Sequence, residues 1–161
     1  MRGGALPPAL LAAALGFALA FAPRRAITLA IVAFCVLGLA GSQLRPDPRW
    51  ADPIFYGCWG SVVVTALSVH LPKGLNLWLA QALAANAGLW AGLLIAVAGA
   101  PIDLVRALPW VLICLPAAWL VRRRFQIAIK VVTSWLIAIS LLAAALPATT
   151  PTPGYVGDHM E

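Results

Sequence analysis

Six apolar runs, separated by short polar or proline-bearing turns, make up most of the chain. A spanning helix needs about 20 mostly apolar residues, within a range of roughly 17–25. The first run, Ala5 to Ala22, opens at Pro7-Pro8, which a helix tolerates only near its start. Ala26 to Ser42 is the second. The stretch QLRPDPRWADP, Gln43 to Pro53, is too rich in proline to stay helical and predicts a loop. Ile54 to Leu71 and Leu77 to Ala100 follow, parted by a turn that carries Pro72, Lys73 and Gly74.

The fifth run, Trp110 to Val121, is short and is broken by Pro116. As a helix it reaches only about 18 Å, against a hydrocarbon core of about 30 Å. It spans only by borrowing residues from Leu104 onward or by letting Arg122 snorkel; otherwise it is a re-entrant or tilted piece. Ile127 to Leu146 is the sixth run. The prediction is an all-α polytopic transmembrane bundle over residues 1–146, with segments near 5–22, 26–42, 54–71, 77–100, 104–121 and 127–146. Residues 147–161 form a polar tail rich in threonine and proline.

Composition agrees with this pattern. Hydrophobic residues make up 63% of the 161, and charged residues 10%. Soluble domains carry roughly 25% charged residues, so this chain lacks the polar groups to cover a watery surface. The net charge of +6 would suit nucleic acid only if the bases shared a soluble face. They stand instead at the ends of apolar segments, so no nucleic-acid partner is expected, and the lipid bilayer is the expected surround.

The bases also set an orientation. Alternating helices put Arg24, Arg25, Lys73, Arg122, Arg123, Arg124 and Lys130 on one side, seven of the eleven Lys and Arg residues. Arg2, Arg45, Arg49 and Arg106 fall on the other side, with all five acids: Asp47, Asp52, Asp103, Asp158 and Glu161. The positive-inside rule then makes the three basic turns cytoplasmic and leaves both termini outside, in the inner membrane of a bacterium. A competing reading takes Met1 to Ala22 as a signal peptide ending at Ala20-Phe21-Ala22, leaving five segments. That would export the Arg122–Arg124 turn, and Pro23 directly after the site disfavours cleavage. The basic turns recur about every 49 residues, a spacing that bilayer thickness imposes with or without an internal repeat.

Polar groups within apolar runs are costly and are the first place to seek function. Ser61, Thr65 and Ser68 share one face of the third segment, with Gly57 above them. Gln81 and Asn86 lie on the fourth, and Lys130, Thr133 and Ser140 form a stripe on the sixth. Together, Ser61, Thr65, Ser68, Gln81, Asn86, Thr133 and Ser140 can line a narrow hydrophilic path. Alternatively, the hydroxyls bond back to their own helices and the amides bridge neighbours. No acid falls within an apolar run, which disfavours proton-coupled transport.

A second pattern concerns packing. Gly88-Leu-Trp-Ala-Gly92 is a G-x-x-x-G, extended by Ala84, and predicts a face where another helix approaches closely, inside this chain or from a partner. Trp50, Trp78 and Trp110 read as interfacial anchors; Trp59, Trp90 and Trp135 lie deeper and read as packing residues. Asp103 and Arg106, at i and i+3, predict an interfacial ion pair.

No nucleophile–base pair, metal-binding spacing or phosphate loop is present in the sequence, so neither catalysis nor a cofactor is expected. Cys35, Cys58 and Cys114 are not at metal or redox spacing and read as small core residues. The functional expectation is a non-catalytic packing or assembly subunit, joined to other membrane helices or to its own copies. The alternative is a small-solute transporter or channel using the neutral polar path.

Overall fold

The computed structural model describes residues 6–72, 74–100 and 102–149, the last three without their side chains. Among the described residues there is no strand. The described residues form seven α-helices: α1 Leu6–Leu19, α2 Arg24–Gln43, α3 Ala51–Ser68, α4 Leu77–Ala98, α5 Ile102–Val111, α6 Cys114–Arg122 and α7 Gln126–Thr149. A single 3₁₀ turn, Pro48–Trp50, leads into α3.

The centre of the bundle is α1. Every residue from Leu11 to Gly16 is buried, and α1 touches α3, α4, α5, α6 and α7. A helix that is apolar on all sides has no polar face to turn outward, so it suits an enclosed position. At 14 residues, α1 extends only about 21 Å. Gly16 lets it lie against another backbone: a Cβ there would stand 2.9 Å from the Val111 carbonyl oxygen.

The backbone it meets is the break between α5 and α6. Pro116 has no N–H to give to the Leu112 carbonyl, so the ladder shortens to i→i−3 bonds. Leu112 N–H donates to Pro109 O at 3.1 Å, Ile113 N–H to Trp110 O at 3.3 Å and Leu115 N–H to Leu112 O at 3.0 Å. The two helices remain one apolar rod, Ile102–Arg122, of 21 residues. The fifth segment therefore reaches full length by extending N-terminally to Ile102.

Among the described residues, four helical rods are long and apolar enough to cross a membrane: Arg24–Gln43, Leu77–Ala98, Ile102–Arg122 and Gln126–Leu146. The architecture has six rods, as the sequence predicts, but two fall short of that standard. One is the short α1; the other, α3, starts on the polar Ala51-Asp52-Pro53.

Outward faces carry large apolar side chains. On α2 these are Leu29, Val32, Val36 and Leu39, each more than half exposed, and on α7 they include Ile127, Val131, Ile139 and Leu142. This inverted surface is what a lipid-solvated bundle presents, and it makes the chain a multi-pass helical membrane protein.

The turns gather at two ends. Leu75 N–H donates to the Phe21 carbonyl at 3.3 Å, so the turn after α3 lies beside the turn after α1. Gly74, at φ +67°, makes that approach possible. His70, just past α3, lies 3.4 Å from Thr133 Oγ1, near the start of α7. Arg124 closes α6 with φ 64°, the left-handed position that glycine usually fills, and Phe125 N–H then reaches the Leu120 carbonyl at 3.0 Å. At the opposite end lie the 44–50 loop and the α4–α5 connection. There Asp103 accepts from Ala100 N–H at 2.9 Å and pairs with Arg106 at 3.4 Å.

Candidate functional site

Helix α4 carries both features expected to matter, and the structure places them on different neighbours. Ala84, Gly88 and Gly92 are buried against α2, the most extensive helix pair in the molecule. A Cβ on Gly88 would lie 2.6 Å from Phe34 O; one on Gly92 would lie 2.3 Å from Gly38 O and 3.0 Å from Gly41 Cα. The reciprocal face of α2 is Ala30, Phe34, Gly38 and Gly41, all buried. Small residues on both helices bring the backbones into contact, where dispersion supplies the attraction. The packing face is thus filled from within the chain. Gly38 and Gly41, at helical spacing from Ala30 and Phe34, are the sequence signal that would have identified its partner.

The polar residues divide into three groups. Between α3 and α4, the Asn86 amide donates to Ser61 Oγ, and Trp90 Nε1–H donates to Asn86 Oδ1 at 3.0 Å. The Trp90 ring fills the space left by the absent side chain of Gly57. Toward α2, Gln81 Nε2 donates to the Ala26 carbonyl at 3.2 Å. These amides act across helices.

On α7, Ile129, Thr133, Leu136 and Ser140 form the buried stripe, and α3 is the main neighbour of that helix. Ser140 donates to Leu136 O at 2.6 Å, and Thr133 to Ile129 O and Lys130 O at 3.0 Å each. Ser68 likewise donates to Thr65 O at 2.6 Å. Bonded back in this way, three of the hydroxyls satisfy themselves locally. The hydroxyl of Thr65 does not: it is buried without a hydrogen-bond partner, as is the indole N–H of Trp59. Lys130 is half-buried near the start of α7, beside the arginine turn.

The basic residues Arg24, Arg25, Arg122, Arg123 and Arg124 are exposed, and Arg123 stacks over the Trp119 ring at 5.2 Å. Lys73 lies outside the described residues, as do Arg2, Asp158, His159 and Glu161. Trp50 and Trp78 are exposed at helix ends, whereas Trp110, also exposed, departs from its expected place at a segment end: with the fifth segment extended to Ile102 it lies inside the rod Ile102–Arg122. Trp135 departs from its expected packing role inside the bundle: it is 70% exposed, because the α7 stripe that faces α3 leaves position 135 pointing outward.

At the end away from the Arg122–Arg124 turn, a cavity of about 410 Å³ opens between the 44–50 loop, α3 and α4. Pro46, Trp50, Pro53, Ile54, Trp90 and Leu93 contribute its apolar walls, and Asp47 is the one charged residue among those that line it. Asp47 accepts from Arg49 N–H at 3.0 Å and from its guanidinium at 2.8 Å. The guanidinium beside it holds the Asp47 carboxyl below the usual carboxylate range, so it is ionised at neutral pH. Nothing in the sequence marked this cavity, since it depends on how the proline-rich loop folds back over Trp90.

Among the described residues, no three His, Cys, Asp or Glu side chains cluster as a metal site. The cysteines are unpaired, Cys58 and Cys114 buried and Cys35 partly so. No family model, no curated protein and no solved structure matches the chain.

Proposed function

We propose that the protein is a non-catalytic subunit of a larger membrane complex, contacting lipid and the helices of partner proteins. The observation that carries this reading is the outer face of α7. Trp135 lies near the middle of the span Gln126–Leu146 and is 70% exposed. At that depth lipid offers an indole N–H no acceptor, whereas a neighbouring helix can supply one. Val131, Ile139 and Leu142 extend the same exposed surface. With Gly88 and Gly92 occupied by α2, docking in this reading falls to α7.

Purification of the tagged protein in mild detergent tests the proposal. Co-purification with a defined set of other membrane proteins is expected, and Trp135→Leu should release them while the subunit itself stays folded. Recovery as a lone monomer or homo-oligomer would sink the heteromeric reading.

The proposed setting is a bacterial inner membrane with the arginine end cytoplasmic and both termini outside, as the positive-inside rule directs. Reporter fusions should give a cytoplasmic signal at Arg123 and an external one at the C-terminus. The reverse pair of signals would invert the topology.

A solute path is the second reading, and the unpartnered hydroxyl of Thr65 favours it. A buried hydroxyl without a protein partner is a place for water or a passing solute.

A further inference from the structure

We propose that the arginine end of the rod Ile102–Arg122 holds the headgroup of an anionic phospholipid, with an acyl chain of that lipid lying along the rod's outer face. The site is independent of the subunit reading. Leu112, Leu115 and Trp119 are each more than half exposed, and steps of three and four residues put them on one outward stripe. The next step of four reaches Arg123, whose guanidinium lies over the Trp119 ring, 5.2 Å from its centroid. From Leu112 to Arg123 a helix rises about 16 Å, half of a hydrocarbon core of about 30 Å. That is the depth of one leaflet, so an apolar track of one acyl chain's length ends on a positioned cation.

Charge at this end is unbalanced. Arg122, Arg123 and Arg124 are consecutive and exposed, and Lys130 is half-buried near the start of α7. The described acids, Asp47, Asp52 and Asp103, all lie at the opposite end, so among the described residues no carboxylate pairs with the turn. Stacking occupies the face of the Arg123 guanidinium and leaves the N–H donors at its edge for a phosphate, which they meet as a bidentate fork. Orientation in a membrane depends on the count of Lys and Arg and would be served equally by lysine. A guanidinium held on an indole at the head of an apolar track goes beyond that need. A cluster of bases beside a membrane helix favours anionic lipid, about fivefold for each base. A zwitterionic lipid brings a cation of its own, and a free phosphate would leave the apolar track unused, so the occupant is an anionic lipid.

The test uses the full chain in detergent, immobilised by a tag, with tritiated dioleoylphosphatidylglycerol as the probe. Saturable binding is expected. Dioleoylphosphatidylcholine, with the same chains and phosphate but no net charge, should compete at least about tenfold more weakly. Inorganic phosphate at equal concentration should not compete, because it has no chain to lie along Leu112, Leu115 and Trp119. Arg123→Gln should weaken binding about fivefold. Arg123→Lys keeps the charge and loses the fork, so its affinity should fall between that variant and the wild type. Arg45→Gln removes the same charge from an exposed position at the opposite end and should leave affinity unchanged. All three positions are exposed or solvent-facing substitutions of arginine, so the helical spectrum should not change. No saturable binding, equal competition by phosphatidylcholine, displacement by inorganic phosphate, equal losses in Arg123→Gln and Arg45→Gln, or wild-type affinity in Arg123→Lys would each overturn the proposal.

Discussion

Gly92→Leu should leave almost no folded protein, while Gly60→Ala should be tolerated. The two glycines sit on neighbouring helices but meet opposite surroundings. A Cβ on Gly92 would fall 2.3 Å from Gly38 O, 2.9 Å from Ser42 N and 3.0 Å from Gly41 Cα, all backbone atoms of α2. No rotamer of leucine avoids them, so α2 and α4 must separate along the whole seam. Overpacking a core typically costs about 1–3 kcal/mol when side chains can yield, and backbone cannot yield in that way, so the cost here should exceed about 3 kcal/mol. At Gly60 nothing lies within 4 Å of the added Cβ. Alanine there should be neutral or stabilise α3 by up to about 1 kcal/mol. The monodisperse fraction in detergent and its thermal midpoint measure both effects. A folded Gly92→Leu protein would mean that the α2–α4 seam is not as close as the geometry states.

This contrast also shows which parts of the fold can be read from the chain. Helix positions were legible to within a few residues because bilayer thickness imposes apolar runs of fixed length. The prolines misplaced the boundaries, since Pro53 sits in the first turn of α3, where a missing N–H costs nothing, and the loop expected over Gln43–Pro53 shrinks to residues 44–50. Helix neighbours were not. In a soluble bundle the apolar stripe marks the core, but here the outward Val32 and the inward Phe34 of α2 are both apolar, so periodicity carries little. That is why the enclosed position of α1 and the peripheral one of α7 could not be told apart from composition. Small residues remain the one readable packing signal. Gly88 and Gly92 were found through it, and Gly38 and Gly41 carry the same mark. The depth of Trp135 was readable, but its outward direction depends on which stripe of α7 meets α3. The cavity under the 44–50 loop was not legible, because it depends on the tertiary fold of a segment with no periodicity.

Asn86→Leu should destabilise the protein by about 1–3 kcal/mol, and Thr65→Val should shift stability the other way. Asn86 is the middle member of a three-residue chain, taking the Trp90 indole N–H and giving to Ser61. Removing it takes the acceptor from that part-buried N–H, with only apolar side chain in its place, and frees the Trp90 ring that lies over Gly57. Interhelical hydrogen bonds in membranes average about 0.6 kcal/mol, so most of the loss comes from the stranded indole rather than from the bond itself. Thr65 is the opposite case: its hydroxyl is buried and has no partner. Valine keeps the shape and removes the polar atom, so the change should be neutral or gain about 1 kcal/mol. Thermal unfolding in detergent reads both, and flux of a small neutral solute from proteoliposomes decides between the functional readings. If Asn86 is a staple between α3 and α4, its loss lowers stability and leaves the liposomes as tight as before. If Thr65→Val destabilises the protein and blocks flux while the bundle remains folded, the hydroxyl is solvated, and the polar line along α3 conducts.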